Sequence, residues 1–258
     1  MTYELEDKLR KNLFEYLIRL GDDKLILGHR LSEWCGHAPI LEEDIALANI
    51  ALDCIGQASA LLSLAASVEG KGRSEDDLAY FRNEYQFKNL LLVEHPNIDF
   101  AYTITRQFFY EVYALYFYQE LMKSRFEPLA GIAAKFINEI RYHLRHAREW
   151  MLRLGNGTEE SHTKVQTAVD DLWQFTGELF FENELDDILC ANKIIFNTTE
   201  IKSKWEEIVN LTLKEATLEI PKNEFMQSGG RLGKHSEHLG HLLAEMQIVA
   251  RSYPGAKW

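Results

Sequence analysis

The chain predicts an all-α fold, a helical bundle, on three observations. Helical patterning runs through nearly all of its 258 residues, no apolar/polar alternation lasts long enough for a sheet, and only five prolines interrupt it. With 46% hydrophobic residues it can bury a full core, and no Ser/Pro-rich or Gly-rich linker divides it. A single domain spanning 1–258 is therefore expected.

Taken in order, residues 4–20 and 23–36 read as two helices broken at Gly21-Asp22-Asp23, where an Asp is placed to cap the second. After Pro39, residues 41–68 carry apolar side chains on almost every side, as a helix buried on all faces would. A polar turn at 69–73 leads to a short helical stretch and then to a loop at 89–97, NLLLVEHPN. Further helices are expected at about 98–123, 127–153 and 158–180. The break at Gly155-Asn156-Gly157 is followed by Thr158 as the next cap, with Glu159 and Glu160 in the first turn. Residues 183–258 are patchier, with helices near 200–217 and 236–252.

The net charge of −12 argues against nucleic acid or an anionic membrane surface as partner, since both would repel the chain. Cys35, Cys54 and Cys190 are odd in number and far apart, which favours a reducing compartment. Residues 1–17 mix charges every few positions without a signal-peptide core. The uncharged run 54–68 is fifteen residues, short of a membrane span of about 20. A cytoplasmic protein with no membrane segment is the expectation.

Several candidate sites weaken on spacing. The literal Glu-x-x-His, Glu159 to His162, directly follows the Thr158 cap and reads as a solvated first turn. His235, His238 and His241 spread over about 120° of a helix and read as a surface cluster without a third zinc ligand. No phosphate-cradling Gly-rich loop or nucleophile elbow is present. The helix near 98–123 carries Phe108, Phe109 and Tyr110, then Tyr116, Phe117 and Tyr118. Three successive residues on a helix point in three directions. Either some of these six meet a partner protein, or the helix is surrounded inside its own bundle.

Two helices read Asp53-Cys54-Ile55-Gly56-Gln57 and Glu139-Ile140-Arg141-Tyr142-His143 where a di-iron carboxylate protein would carry Glu-x-x-His. The surrounding stretch LILGHRLSEWCGHAPILEEDIALANIALD resembles the C subunit of bacterial ring-1,2-phenylacetyl-CoA epoxidases. The likeness continues through LLLVEHPN, RYHLRHAREWMLRLGNGTEESH, DDLWQFTGELF and HSEHLGHLLAEMQ. The resemblance implies a ferritin-like bundle with added C-terminal helices. It also implies a structural, non-catalytic subunit in a hetero-oligomer with a di-iron A subunit. The partner would hold the iron, and a reductase component using NADPH, flavin and an iron-sulfur cluster would supply electrons. The complex would epoxidise the ring of phenylacetyl-CoA in aerobic phenylacetate breakdown, with no cofactor in this chain.

Laying the catalytic subunit's pattern onto this chain, anchored on Trp34, Ala38-Pro39, Asp53 and Gly56, puts the six ligand positions at Lys24, Cys54, Gln57, Glu111, Ile140 and His143. Glu111 and His143 keep a carboxylate and an imidazole. A Lys ammonium would repel metal ions. Lys24 is expected either to stand in for the missing cation, near Glu111 or Asp53, or to be a surface residue at a helix start. Two other readings remain: an active di-iron oxygenase using Glu43, Asp53, Glu111, Glu139 and His143, or a helical adaptor for an unrelated partner.

Overall fold

A computed structural model describes residues 5–222 and 224–256, so the expected helix start at residue 4 lies outside them. Among the described residues there are ten α-helices and no strand. They are α1 (Asp7–Ser32), α2 (Leu41–Glu69), α3 (Glu75–Tyr80), α4 (Leu91–Glu94) and α5 (Phe100–Leu121), then α6 (Glu127–Gly155), α7 (Glu159–Trp173), α8 (Glu184–Ala191), α9 (Thr199–Glu215) and α10 (Glu237–Ser252). Packing divides the chain into two compact units, Met1–Pro96 with Gly229–Trp258, and Asn97–Ser228.

The first unit is built on α1 packed along α2. Two expectations are corrected here. Gly21-Asp22-Asp23 does not break a helix: α1 runs straight through it, and all three residues are buried. Gly21 is a notch, because a Cβ there would lie 2.6 Å from Leu62 Cδ2. Gly28, two turns on, does the same for Ile55, whose Cδ1 would be 2.9 Å from the added carbon. The two glycines let α2 approach α1 closely, and that contact outweighs their weak helix propensity. Nor is α2 buried on all faces. Leu47, Ile50, Cys54, Ala58 and Leu61 are inside, whereas Leu41, Ile45 and Leu52 are 72%, 54% and 69% exposed. Gly70, at φ 70°, ends the helix in the left-handed conformation that glycine adopts without penalty. Although α2 is long and apolar enough to cross a membrane, its inner side is core in this unit.

The loop expected at 89–97 contains the single turn α4. Residues 229–256 return to this unit, where Gln247 of α10 donates to the carbonyls of Ala79 and Arg82, both at 3.1 Å.

In the second unit α5 is the central helix, flanked by α6, α7 and α9. Asp99 caps it by accepting from the Tyr102 amide at 2.8 Å. This arrangement removes the partner reading of the aromatic residues. Phe108, Phe109, Tyr110, Phe117 and Tyr118 are at most 2% exposed, and Tyr116 is half-buried. Phe109 meets Trp173 of α7 and Trp205 of α9, Phe117 meets Phe196, and Tyr118 meets Phe136 of α6. Their ring centroids lie 5.3–6.0 Å apart. Helices of the same unit therefore cover the three directions that one amphipathic stripe could not. Trp205 also donates its indole N–H to the Phe109 carbonyl at 2.9 Å, fixing α9 against α5.

Candidate functional site

In the first unit, α1 and α2 present three of the six ligand positions. Lys24 is fully buried in the interior of α1, Cys54 is fully buried on α2, and Gln57, one turn further, is 1% exposed. Burial of Lys24 overturns the surface-residue reading. Successive residues on a helix turn by about 100°, so Asp22, Asp23 and Lys24 leave α1 in three directions.

Both acids find guanidinium partners far along the chain. Asp22 forms a two-oxygen pair with Arg82, one contact measuring 3.0 Å, and accepts the Lys88 amide at 2.8 Å. Asp23 is bridged by Arg231 through contacts of 2.9 and 2.8 Å and accepts the Leu90 amide at 2.8 Å. Burial pushes the Asp23 carboxyl up to about 6, against the downward pull of Arg231 and the Leu90 amide.

A second buried group lies beside these pairs in sequence and belongs to the same unit. The Glu94 carboxylate accepts from Asn89 Nδ2 at 3.0 Å and from the Ser236 amide at 2.6 Å, and meets His235 Nδ1 at 2.9 Å. His235 Nε2 faces the Phe87 carbonyl at 2.9 Å. With acceptors at both nitrogens, the ring is held as the imidazolium. Burial alone would lower the His235 pKa, but Glu94 and the Phe87 carbonyl outweigh it, and the net shift is upward. This corrects the surface-cluster reading. The His235 side chain is fully buried and precedes α10, so the three histidines do not share a helix face. Arg30 closes the group with donations to the Glu94 carbonyl at 3.0 and 2.9 Å and to the His238 carbonyl at 3.0 Å.

In the second unit, Glu111 of α5 and Ile140 and His143 of α6 are all fully buried. Ile140 and His143 are three apart and share a helix face. His143 Nδ1 lies 3.5 Å from Glu111 Oε1, which also accepts from Gln107 Nε2 at 2.8 Å. The Glu159–His162 segment is a capped first turn, as expected. Thr158 accepts the Ser161 amide, Glu159 and Glu160 are exposed, and His162 contacts the Gly155 carbonyl at 2.7 Å.

Chemically, the six positions offer an ammonium, a thiol, an amide, a carboxylate, an alkyl group and an imidazole. A carboxylate-bridged iron pair takes four carboxylates and two imidazoles from such helices. The residues present do not fit it. The rearranged set fares no better, since Glu43 and Asp53 are ten residues apart on α2, about 15 Å along its axis. Two metals in one site sit only about 4 Å apart.

Helices without a strand among the described residues are the architecture of the ferritin-like helical proteins. The family model of the phenylacetic acid catabolic proteins matches residues 1–258, and the chain belongs to that family. The C subunit of the 1,2-phenylacetyl-CoA epoxidase of Escherichia coli (strain K12) is 50% identical over 246 residues, covering 95% of this chain and 99% of that protein.

Proposed function

We propose that this chain is the structural, non-catalytic C subunit of a cytoplasmic 1,2-phenylacetyl-CoA epoxidase complex. The observation that carries the reading is that all six ligand positions are buried in helices while four of them lack a carboxylate or imidazole. A helix pair that keeps its burial but not its donors retains the scaffold of an oxygen-activating bundle without its chemistry. The name of the 50% identical relative supports membership of the same complex.

In this reading the iron belongs to the paired A subunit, and electrons reach it from NADPH through the flavin and iron-sulfur reductase. The Lys24 ammonium supplies positive charge where an iron would have stood, and Ile140 removes a carboxylate whose buried charge would oppose folding without metal. The chain's own work is to hold the catalytic subunit's helices in their active arrangement.

The test is reconstitution. Purified di-iron subunit and reductase are assayed for NADPH-dependent oxygenation of phenylacetyl-CoA with and without this chain. Turnover that appears only when the chain is added supports the reading. Full turnover without it, or turnover by this chain and reductase alone, overturns it.

A further inference from the structure

The turn Gly155-Asn156-Gly157, between α6 and α7, carries a reactive dipeptide. Of the chain's asparagines only Asn156 precedes a glycine. Asparagine is thermolabile because the backbone nitrogen of the next residue can attack its side-chain amide, and a glycine there has no side chain to obstruct the approach. The Gly157 nitrogen bonds to Asn156 Cγ, the Cγ–Nδ2 bond breaks, and ammonia leaves with Nδ2 and the proton of the attacking nitrogen. Water then opens the cyclic imide at either carbonyl. The products are aspartate and the isomer whose backbone runs through Cβ and Cγ.

Packing gives both residues a reason to be here. A Cβ on Gly157 would lie 2.7 Å from Ser161 Oγ and 2.8 Å from the Arg153 carbonyl oxygen, and its φ is not left-handed. Space, rather than backbone conformation, demands this glycine. Asn156 closes α6, and its Nδ2 donates to the Glu215 carbonyl at the end of α9 at 2.9 Å. The same junction is tight around it. A Cβ on Gly155 would lie 2.3 Å from the Ala216 carbonyl oxygen, and Arg148 of α6 pairs with Glu215 and donates to Thr212 Oγ1 at 3.2 Å.

The junction also holds the dipeptide away from reaction. The Asn156 ψ of 8° sets the Gly157 nitrogen nearly eclipsed with the Asn156 nitrogen and turned from Cβ, whereas ring closure needs it on the Cβ side. Rotation about that bond displaces Gly157 from its slot against Ser161 and Arg153, and attack requires Nδ2 to leave the Glu215 carbonyl. The restraint is shallow. Asn156 is exposed, and the Gly157 amide donates to the Leu154 carbonyl only at 3.4 Å. Segments held by solvent-exposed hydrogen bonds open at a cost well below that of global unfolding.

We propose that Asn156-Gly157 is a deamidation site gated by opening of the junction between the ends of α6 and α9. The modification loosens what restrained it. The new carboxylate has no proton to donate to the Glu215 carbonyl, and it adds negative charge at the C-terminal end of α6, where the helix dipole disfavours it. The site is independent of the proposed function.

The experiment incubates the full chain in mildly alkaline buffer, folded or in guanidinium chloride. Peptide mass spectrometry follows the amide-to-acid mass change at each asparagine, with chromatography separating the two acid isomers. In denaturant Asn156 should react first among the asparagines, and in the folded chain at least about tenfold more slowly, a ratio set by the population of the open junction. Arg148→Ala removes two α6–α9 contacts and should raise the folded rate at least about threefold. Arg145→Ala, at an exposed α6 arginine outside those contacts, should leave it unchanged. Circular dichroism checks each fold. Asn156→Asp, which mimics one product, should lower the thermal midpoint.

Equal rates in the folded and denatured chain, or a folded rate indifferent to Arg148→Ala, overturn the gate. An Asn156 that stays intact even in denaturant overturns the site itself. A wild-type midpoint in Asn156→Asp overturns the loosening.

Discussion

Residue chemistry in the first unit is dominated by ions taken out of water in pairs. Asp23 is 1% exposed and Arg231 is 6% exposed, and the two buried groups are paired at 2.8 Å. Breaking a buried pair by removing one partner costs about 3–5 kcal/mol, more than the pair contributes against an apolar replacement. Arg231→Ala should therefore lower the urea-unfolding free energy by roughly that amount, whereas a loss under about 1 kcal/mol would mean that water reaches Asp23. The neighbouring His235–Glu94 pair responds to pH. Its folded pKa lies above the ordinary histidine value of 6.5, so the folded state holds the proton more tightly than the unfolded chain. The stabilisation is fully present below pH 6.5 and lost as pH rises through the folded pKa. Unfolding of wild type and His235→Gln over a pH series should show a gap that is widest on the acid side and closes toward alkaline pH. A gap independent of pH would contradict the imidazolium assignment.

At the scale of elements, one kind of substitution should have opposite signs on two helices. Gly21→Ala forces a methyl into Leu62 and should destabilise by about 1–3 kcal/mol, the usual range for overpacking. Gly56→Ala meets nothing and should stabilise the isolated chain by about 0.5–1 kcal/mol through helix propensity alone. Thermal unfolding of both variants checks the pair, and the same sign for both would show that local propensity rather than packing governs these positions. Gly21 is also where sequence reading failed most instructively. Gly-Asp-Asp looks locally like a helix stop and a new cap, and what cancels that signal is Arg82 and Arg231, dozens to hundreds of residues away. The cap at Thr158 and the polar turn at 69–73 were legible because their signals lie within a turn. The three consecutive aromatic residues of α5 could show that several neighbours were needed, but not that α6, α7 and α9 supply them. Glu94 and Arg231 were not singled out, and Asp22 and Asp23 were read only as a helix break and cap. The available signal was charged residues embedded in otherwise apolar runs, as in LLLVEHPN.

For the whole molecule, the structural-subunit reading requires that cohesion not depend on a bound metal pair. In a metal-dependent fold, binding free energy is folding free energy, and a chelator denatures the protein. Here the helices that would have carried the ligands are joined by other means. In the first unit, α1 is tied by Asp22–Arg82 and Asp23–Arg231 and packs through two glycine notches onto α2. In the second, an aromatic cluster anchored by Trp205 holds α5 to α7 and α9. None of these contacts needs a metal. The chain loaded anaerobically with ferrous iron and then desalted should retain far less than one iron per molecule. Its thermal midpoint should be the same with and without a strong chelator, because a group that binds the native state stabilises it in proportion to ln(1 + [L]/Kd) and its removal must otherwise show. Two tightly held irons, with a midpoint that falls on chelation, would make the buried Glu111–His143 pair part of a working centre and would overturn the structural-subunit reading.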